Sequence, residues 1–220
     1  GTLSVSDDNA TATASISGST VTISNLGSLN AGTVVKVTVK AAESTNYKAA
    51  SQTYTLTIGR ASATNPTLTA YNKAYDGSSH TIGVSGGSGG TIKYSTDKTN
   101  WSTEKPTYKD YTNGAKTIYV KVFGDSNHND TDIISSTVTI SKATGYVTLG
   151  ATSGTSTYGT TSKTFTVTGS HGGTLSVSDD NATATASISG NTVTISSIGS
   201  LDAGTVVKVT VKAAESTNYT

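Results

Sequence analysis

The octapeptide TVVKVTVK occupies residues 33–40 and returns at residues 205–212. Val35, Val37 and Val39 alternate with Lys36, Thr38 and Lys40. In an extended chain successive side chains point to opposite faces, so this pattern gives one apolar and one polar face. Val and Thr also suit a pleated surface. The same period recurs in STVTIS (19–24), TYTLTI (53–58), TIYVKV (117–122), TVTI (137–140) and TFTVT (164–168). Turn-forming clusters separate these runs: SDDN at 6–9, DGSS at 76–79, GGSGG at 86–90, TNGA at 112–115 and GDSNHND at 124–130. GGSGG reads as a flexible hairpin turn, and the Asp-Asp-Asn cluster as a hairpin turn held by its own side chains. No stretch of ten or more residues has apolar positions at helical spacing. Short strands at such regular intervals predict an all-β sandwich.

The octapeptide belongs to a longer duplication. Residues 1–47 and 173–219 differ only at Ser19/Asn191, Asn25/Ser197, Leu26/Ile198 and Asn30/Asp202. TIGRA (57–61) and TISKA (139–143) read as seams without a floppy linker. Upstream of them, VTVKAAESTNY (37–47) and IYVKVFGDSNH (118–128) share a strand, a polar turn and an Asn followed by a ring. The segment 61–143 is therefore expected to be one complete module, type B. Residues 1–60 read as the C-terminal part of a type A module, and 144–220 as an A module lacking its final strand. The 172-residue period covers one A and one B, each somewhat over 80 residues, which suits a small sandwich.

Composition excludes several function classes. The 15 basic and 14 acidic residues nearly cancel, so no basic face for nucleic acid or anionic lipid is expected. No apolar stretch is long enough for a membrane helix, and no signal peptide is evident. With no cysteine there is no disulfide, thiolate metal site or Cys nucleophile. His80, His128 and His171 stand in polar, turn-like contexts, and no GxSxG, HExxH or Walker pattern occurs. No cofactor and no catalysis are expected.

Two groups invite a binding role. Asp125, Asn127, Asn129 and Asp130 space oxygen ligands like the opening of a calcium loop, but Asp130 stands where a Gly is needed and Ser136 where a Glu is needed. A turn accounts for them more simply. Trp101 and Tyr119, among the rings of segment B, are candidates to stack on a sugar; core and cross-strand packing is the simpler account. Lys36, Lys40 and Lys121 alternate with apolar residues and read as solvent-facing, unsuited to an isopeptide crosslink.

The B segment, AYDGSSHTIGVSGGSGGTIKYSTDKTNWSTEKPTYKDYTNGAKTIYVKVFGDSNHND, resembles the YDG-type Ig-like repeats of large bacterial surface proteins. It departs from them at His128, where Tyr is usual, and at Lys98, where a turn Gly is usual. The A segment, with YGTTSKTFTVTG and AGTVVKVTVKAAESTNY, is similar to invasin/intimin-related bacterial Ig-like repeats. The resemblance implies tandem immunoglobulin-like sandwiches in an extended rod. It implies a structural stalk of a bacterial cell-surface adhesin, extracellular, with signal and anchor outside this segment. Its immediate partners would be neighbouring modules of the same chain, and a host or surface glycan or protein would be met by regions elsewhere. A carbohydrate-binding module using the B aromatics, or a filament or surface-layer subunit joined by strand exchange, is the alternative.

Overall fold

The computed structural model describes all residues, Gly1–Thr220. The first repeat copy supplies β1 (Leu3–Asp7), β2 (Thr13–Ser17), β3 (Thr20–Ser24), β4 (Val34–Ala41) and β5 (Ala50–Thr57), with a 3-10 turn at Leu26–Ser28. Next come β6 (Ala61–Ser62), β7 (Thr67–Thr69), β8 (Tyr71–Ala74) and β9 (Gly83–Ser85). These are followed by β10 (Gly90–Ser95), β11 (Lys116–Gly124), β12 (His128–Asn129) and β13 (Ile134–Ser141). The last part holds β14 (Tyr146–Leu149), β15 (Ser162–His171), β16 (Leu175–Asp179), β17 (Thr185–Ser189), β18 (Thr192–Ser196) and β19 (Val209–Ala213). The protein is all-β, as its alternation requires. Two compact units result. One comprises Gly1–Thr69, Gly83–Pro106 and Ile118–Ser136, and the other Ala70–Ile82, Thr107–Thr117 and Thr137–Thr220.

In the first unit β1, β4 and β5 form an antiparallel sheet with β4 central, and β2 pairs with β3. Val35 and Val37 of β4 are buried, while Lys36 between them is exposed. They pack with Ala12 and, around it, Val5, Ala14, Val21, Ile23, Leu26, Leu29 and Leu56. These residues come from both sheets, so the core lies between two layers, as in a sandwich. Burial of each valine contributes about 1.5–3 kcal/mol.

The SDDN turn does not close a hairpin. It carries the chain from β1 in one sheet to β2 in the other. Asp7 Oδ2 accepts from the Ala14 amide (2.9 Å), and Asn9 Oδ1 from the Thr11 and Ala12 amides (2.9 and 3.0 Å). Asp8 Oδ1 accepts from the Lys36 amide at 2.7 Å. The side chains thus supply acceptors where the ladder stops. GGSGG is likewise no hairpin: β9 pairs with β7 and β10 with β11. Gly86, Gly87 and Gly89 all have positive φ. Ser88 is fixed between them by two backbone hydrogen bonds to Thr64 (2.9 and 3.2 Å).

In the second unit the order is β14-β15-β18-β17, with β16 paired to β19 and β13 parallel to β8. The duplicated strands keep their register. Leu3 faces Ala41 in β1–β4 and Leu175 faces Ala213 in β16–β19. The Asp-Asn corner is reproduced by Asp179, Asp180 and Asn181 on Ala186, Lys208 and Ala184. In the middle segment Ile82, Ile118, Val120, Val122, Val138 and Ile140 are all buried. Tyr119 and Lys121, on the opposite face of β11, are half-buried.

Candidate functional site

The sentence shared by the A and B segments, an Asn followed by a ring after a polar turn, meets the segments 57–61 and 139–143 that the sequence reads as seams. The turn builds itself locally. In the first copy Ser44 and Tyr47 exchange backbone hydrogen bonds (2.9 and 3.2 Å), and Ser216 donates to the Tyr219 carbonyl at 2.9 Å in the second. In the middle segment Asp125 Oδ1 accepts from the Asn127 amide (2.8 Å) and meets His128 Nδ1 at 2.7 Å. In the middle and last turns the Asn is half-buried and bonds beyond its own turn. Its backbone carbonyl takes a seam alanine: Ala61 N to Asn127 O, and Ala143 N to Asn218 O, both at 2.9 Å.

The side chains of these asparagines make the same pair of bonds in each unit. In the first unit Asn127 Oδ1 accepts from the Ala31 amide (2.9 Å), and Asn127 Nδ2 donates to Asn30 Oδ1 (3.0 Å). In the second unit Asn218 Oδ1 accepts from the Tyr111 amide (2.8 Å), and Asn218 Nδ2 donates to Asp110 Oδ1 (2.9 Å). A carboxamide offers one acceptor and one donor side by side. An Asx side chain and the next residue's N–H match them. Because a backbone N–H can only donate, the orientation of each fork is fixed. Asn30 and Asp110 lie in the loops that lead into β4 and β11, so each fork reaches back to the segment before it.

The second seam carries further contacts. The Tyr219 ring is edge-on to Tyr75 (5.5 Å between centroids) and to His171 (4.9 Å), and His171 lies 4.7 Å from Tyr146. Lys142 Nζ meets Glu215 Oε1 at 2.5 Å and the Ser216 carbonyl at 2.7 Å, and sits 5.4 Å over the Tyr111 ring. A ring–ring pair contributes about 0.5–1.5 kcal/mol beyond its area. The exposed ion pair adds about 0–1 kcal/mol.

The four oxygen-bearing residues considered as a calcium loop go separate ways. Asp125 serves the turn, Asn127 serves the fork, and Asn129 lies in β12 beside Ser62. Asp130 accepts from the Gly124 amide (2.8 Å) and pairs with Lys121 at 2.8 Å. Neither Trp101 nor Tyr119 presents an unengaged ring. Trp101 is edge-on to Phe123 (5.5 Å), and its Nε1 donates to the Lys98 carbonyl at 3.1 Å. Lys98 Nζ lies 4.7 Å from the Tyr119 centroid, and Lys93 and Lys121 lie 4.9 and 4.8 Å from that of Phe123. Lys36 and Lys40 are exposed, whereas Lys121, expected in solvent, is half-buried by Asp130 and Phe123.

Lys98 takes φ 65°, the left-handed conformation for which Gly is suited. The turn is held by Asp97, whose carboxylate accepts from the Thr99 and Asn100 amides, Asn100 Nδ2 and Ser95 Oγ. Those bonds, led by that of the Asn100 amide, hold its carboxyl well below the ordinary range. His80 stacks on Tyr71 (4.1 Å, 13° between planes) and meets Asp76 at 2.8 Å, which lowers the Asp76 pKa.

Comparison with known proteins adds little. No family model matches the chain, and no curated protein matches it. Among solved structures it is similar to a three-immunoglobulin-domain segment of titin carrying a Glu-to-Ala change, at 10% identity, over 97% of this chain and 87% of that one, with a TM-score of 0.28. So low a TM-score decides nothing, and the all-β sandwich assignment stands on the strand pairing and two-layered core.

Proposed function

We propose that this chain is a non-enzymatic structural spacer, a stretch of the stalk of a large repetitive bacterial cell-surface adhesin, extracellular, holding a distal binding region away from the cell. One observation carries the spacer reading: the same two-bond fork and the same Ala–Asn backbone tie recur in both units, joining unlike module types. A fixed, repeated joint is what a stalk needs and what a set of independently tumbling binding domains does not. Its resemblance to bacterial Ig-like repeats favours the bacterial surface.

Strands of this length with their end loops span on the order of 35–40 Å per module. Two and a half modules end to end would measure roughly 100 Å, with a radius of gyration near 30 Å, against roughly 17 Å for a single compact domain of this length. Small-angle X-ray scattering on the purified chain decides between them. A radius near the compact value would overturn the spacer reading.

A further inference from the structure

The duplication places both halves of the fork a second time, without partners. Asn46 is the counterpart of Asn218. Its turn is already closed by the Ser44–Tyr47 hydrogen bonds, yet its side chain is exposed and unbonded. The adjacent Tyr47 ring is 76% exposed, whereas its counterpart Tyr219 is half-buried between rings. Asp202 and Ala203 are the counterparts of Asn30 and Ala31. The loop is again preformed: Thr33 N to Asn30 O and Thr205 N to Asp202 O are both 3.1 Å, and Gly32 and Gly204 have φ 85° and 90°. Ala31 is half-buried under Asn127, while Asp202 and Ala203 are exposed and carry nothing.

We infer that Asp202 with the Ala203 amide is an interaction site for the Asn-ring turn of a further B-type module in the same polypeptide, and that Asn46 is the matching half-site for an Asx loop of a preceding one. The inference rests on the spacer reading and adds to it the recognition element that orders one module after another. The occupant is covalently joined rather than a free second copy. Two hydrogen bonds are too few to hold separate chains against the cost of association, but suffice once a short seam raises the effective concentration. Asp202 in place of Asn30 keeps the acceptor and adds charge, as Asp110 does at the second seam, so Asn Nδ2 fits all three.

The repeat supplies the test. Joining residues 48–220 directly after Tyr219 continues the sequence in register and sets a second copy of Asn127 opposite Asp202. A control adds residues 48–60 alone, which supplies the missing strand without the Asn turn. Amide hydrogen exchange of Ala203 should slow roughly tenfold in the long form relative to the control, as for one backbone hydrogen bond of average strength. It should return to the control rate with Asn127→Ala in the appended copy or with the surface change Asp202→Ala. Ala31, already held, is the internal reference. Equal exchange in the long form and the control, or slowing that survives both substitutions, would overturn the inference. If scattering shows the long form to be extended while Ala203 stays unprotected, the fork falls and the spacer stands. If Ala203 is protected but the long form is compact, the spacer falls and the joint remains.

Discussion

At the scale of residues, the seam depends on a carboxamide that both donates and accepts. Asp in place of Asn keeps the acceptor but loses the donor, and the consequence depends on the partner. Asn127 faces the neutral Asn30 amide, which can turn to donate in its place. Asn218 faces the Asp110 carboxylate at 2.9 Å, so an Asp there sets two carboxylates against each other. Asn218→Asp should therefore destabilise the second unit by about 1–2 kcal/mol, and Asn127→Asp the first by less than about 1 kcal/mol. Thermal melts at neutral pH check this, and acid or salt should narrow the gap. An equal loss at both sites would show that charge plays no part.

Among elements, the two copies of TVVKVTVK show how much a strand owes to its neighbours. β4 runs from Val34 to Ala41 between β1 and β5, whereas β19 runs only from Val209 to Ala213 against β16. The letters are identical, yet Val206 is 74% exposed against 45% for Val34, and Val207 is half-buried where Val35 is fully buried. Propensity alone does not hold the first residues of the octapeptide in a ladder. Adding residues 48–60 after Tyr219 should extend β19 back to Val206, protect the amides of residues 206–208 from exchange and raise the melting temperature. If those amides stay unprotected, the absence of a pairing strand is not the reason for the shorter strand.

For the molecule as a whole, acid stability follows from four carboxylates of the middle segment. Asp76 and Asp125 are lowered chiefly by hydrogen bonds from His80 and His128, Asp97 chiefly by the Asn100 amide, and Asp130 chiefly by Lys121. A folded-state pKa below the unfolded value means that the stabilisation is complete above the ordinary carboxylate value of about 3.9 and is lost as pH falls further. Melting temperature should be insensitive to these groups above about pH 5 and fall steadily below pH 4. Asp97→Ala should lower stability at neutral pH and flatten the acid slope. A slope unchanged by this substitution would assign the acid response elsewhere.

The strands, the turns between them and the duplicated frame were legible from the octapeptide outward, because side-chain alternation and turn chemistry are local. Even the Asn-ring turn could be seen in 37–47 and 118–128. Its use could not. Asn127 meets residues 96 and 97 positions away, and Asn218 residues 107 and 108 away, and nothing in a strand pattern specifies which loop a distant turn touches. For the same reason GGSGG and SDDN looked like hairpins. Turn residues announce a change of direction, while the sheet that receives the next strand is chosen by which apolar faces can be buried together. Sequence alone thus determined an all-β, repeated chain, through the period of its side chains. Tertiary structure alone decided the pairing of strands and the partners of Asn127 and Asn218, because both depend on groups brought together only when the chain is folded.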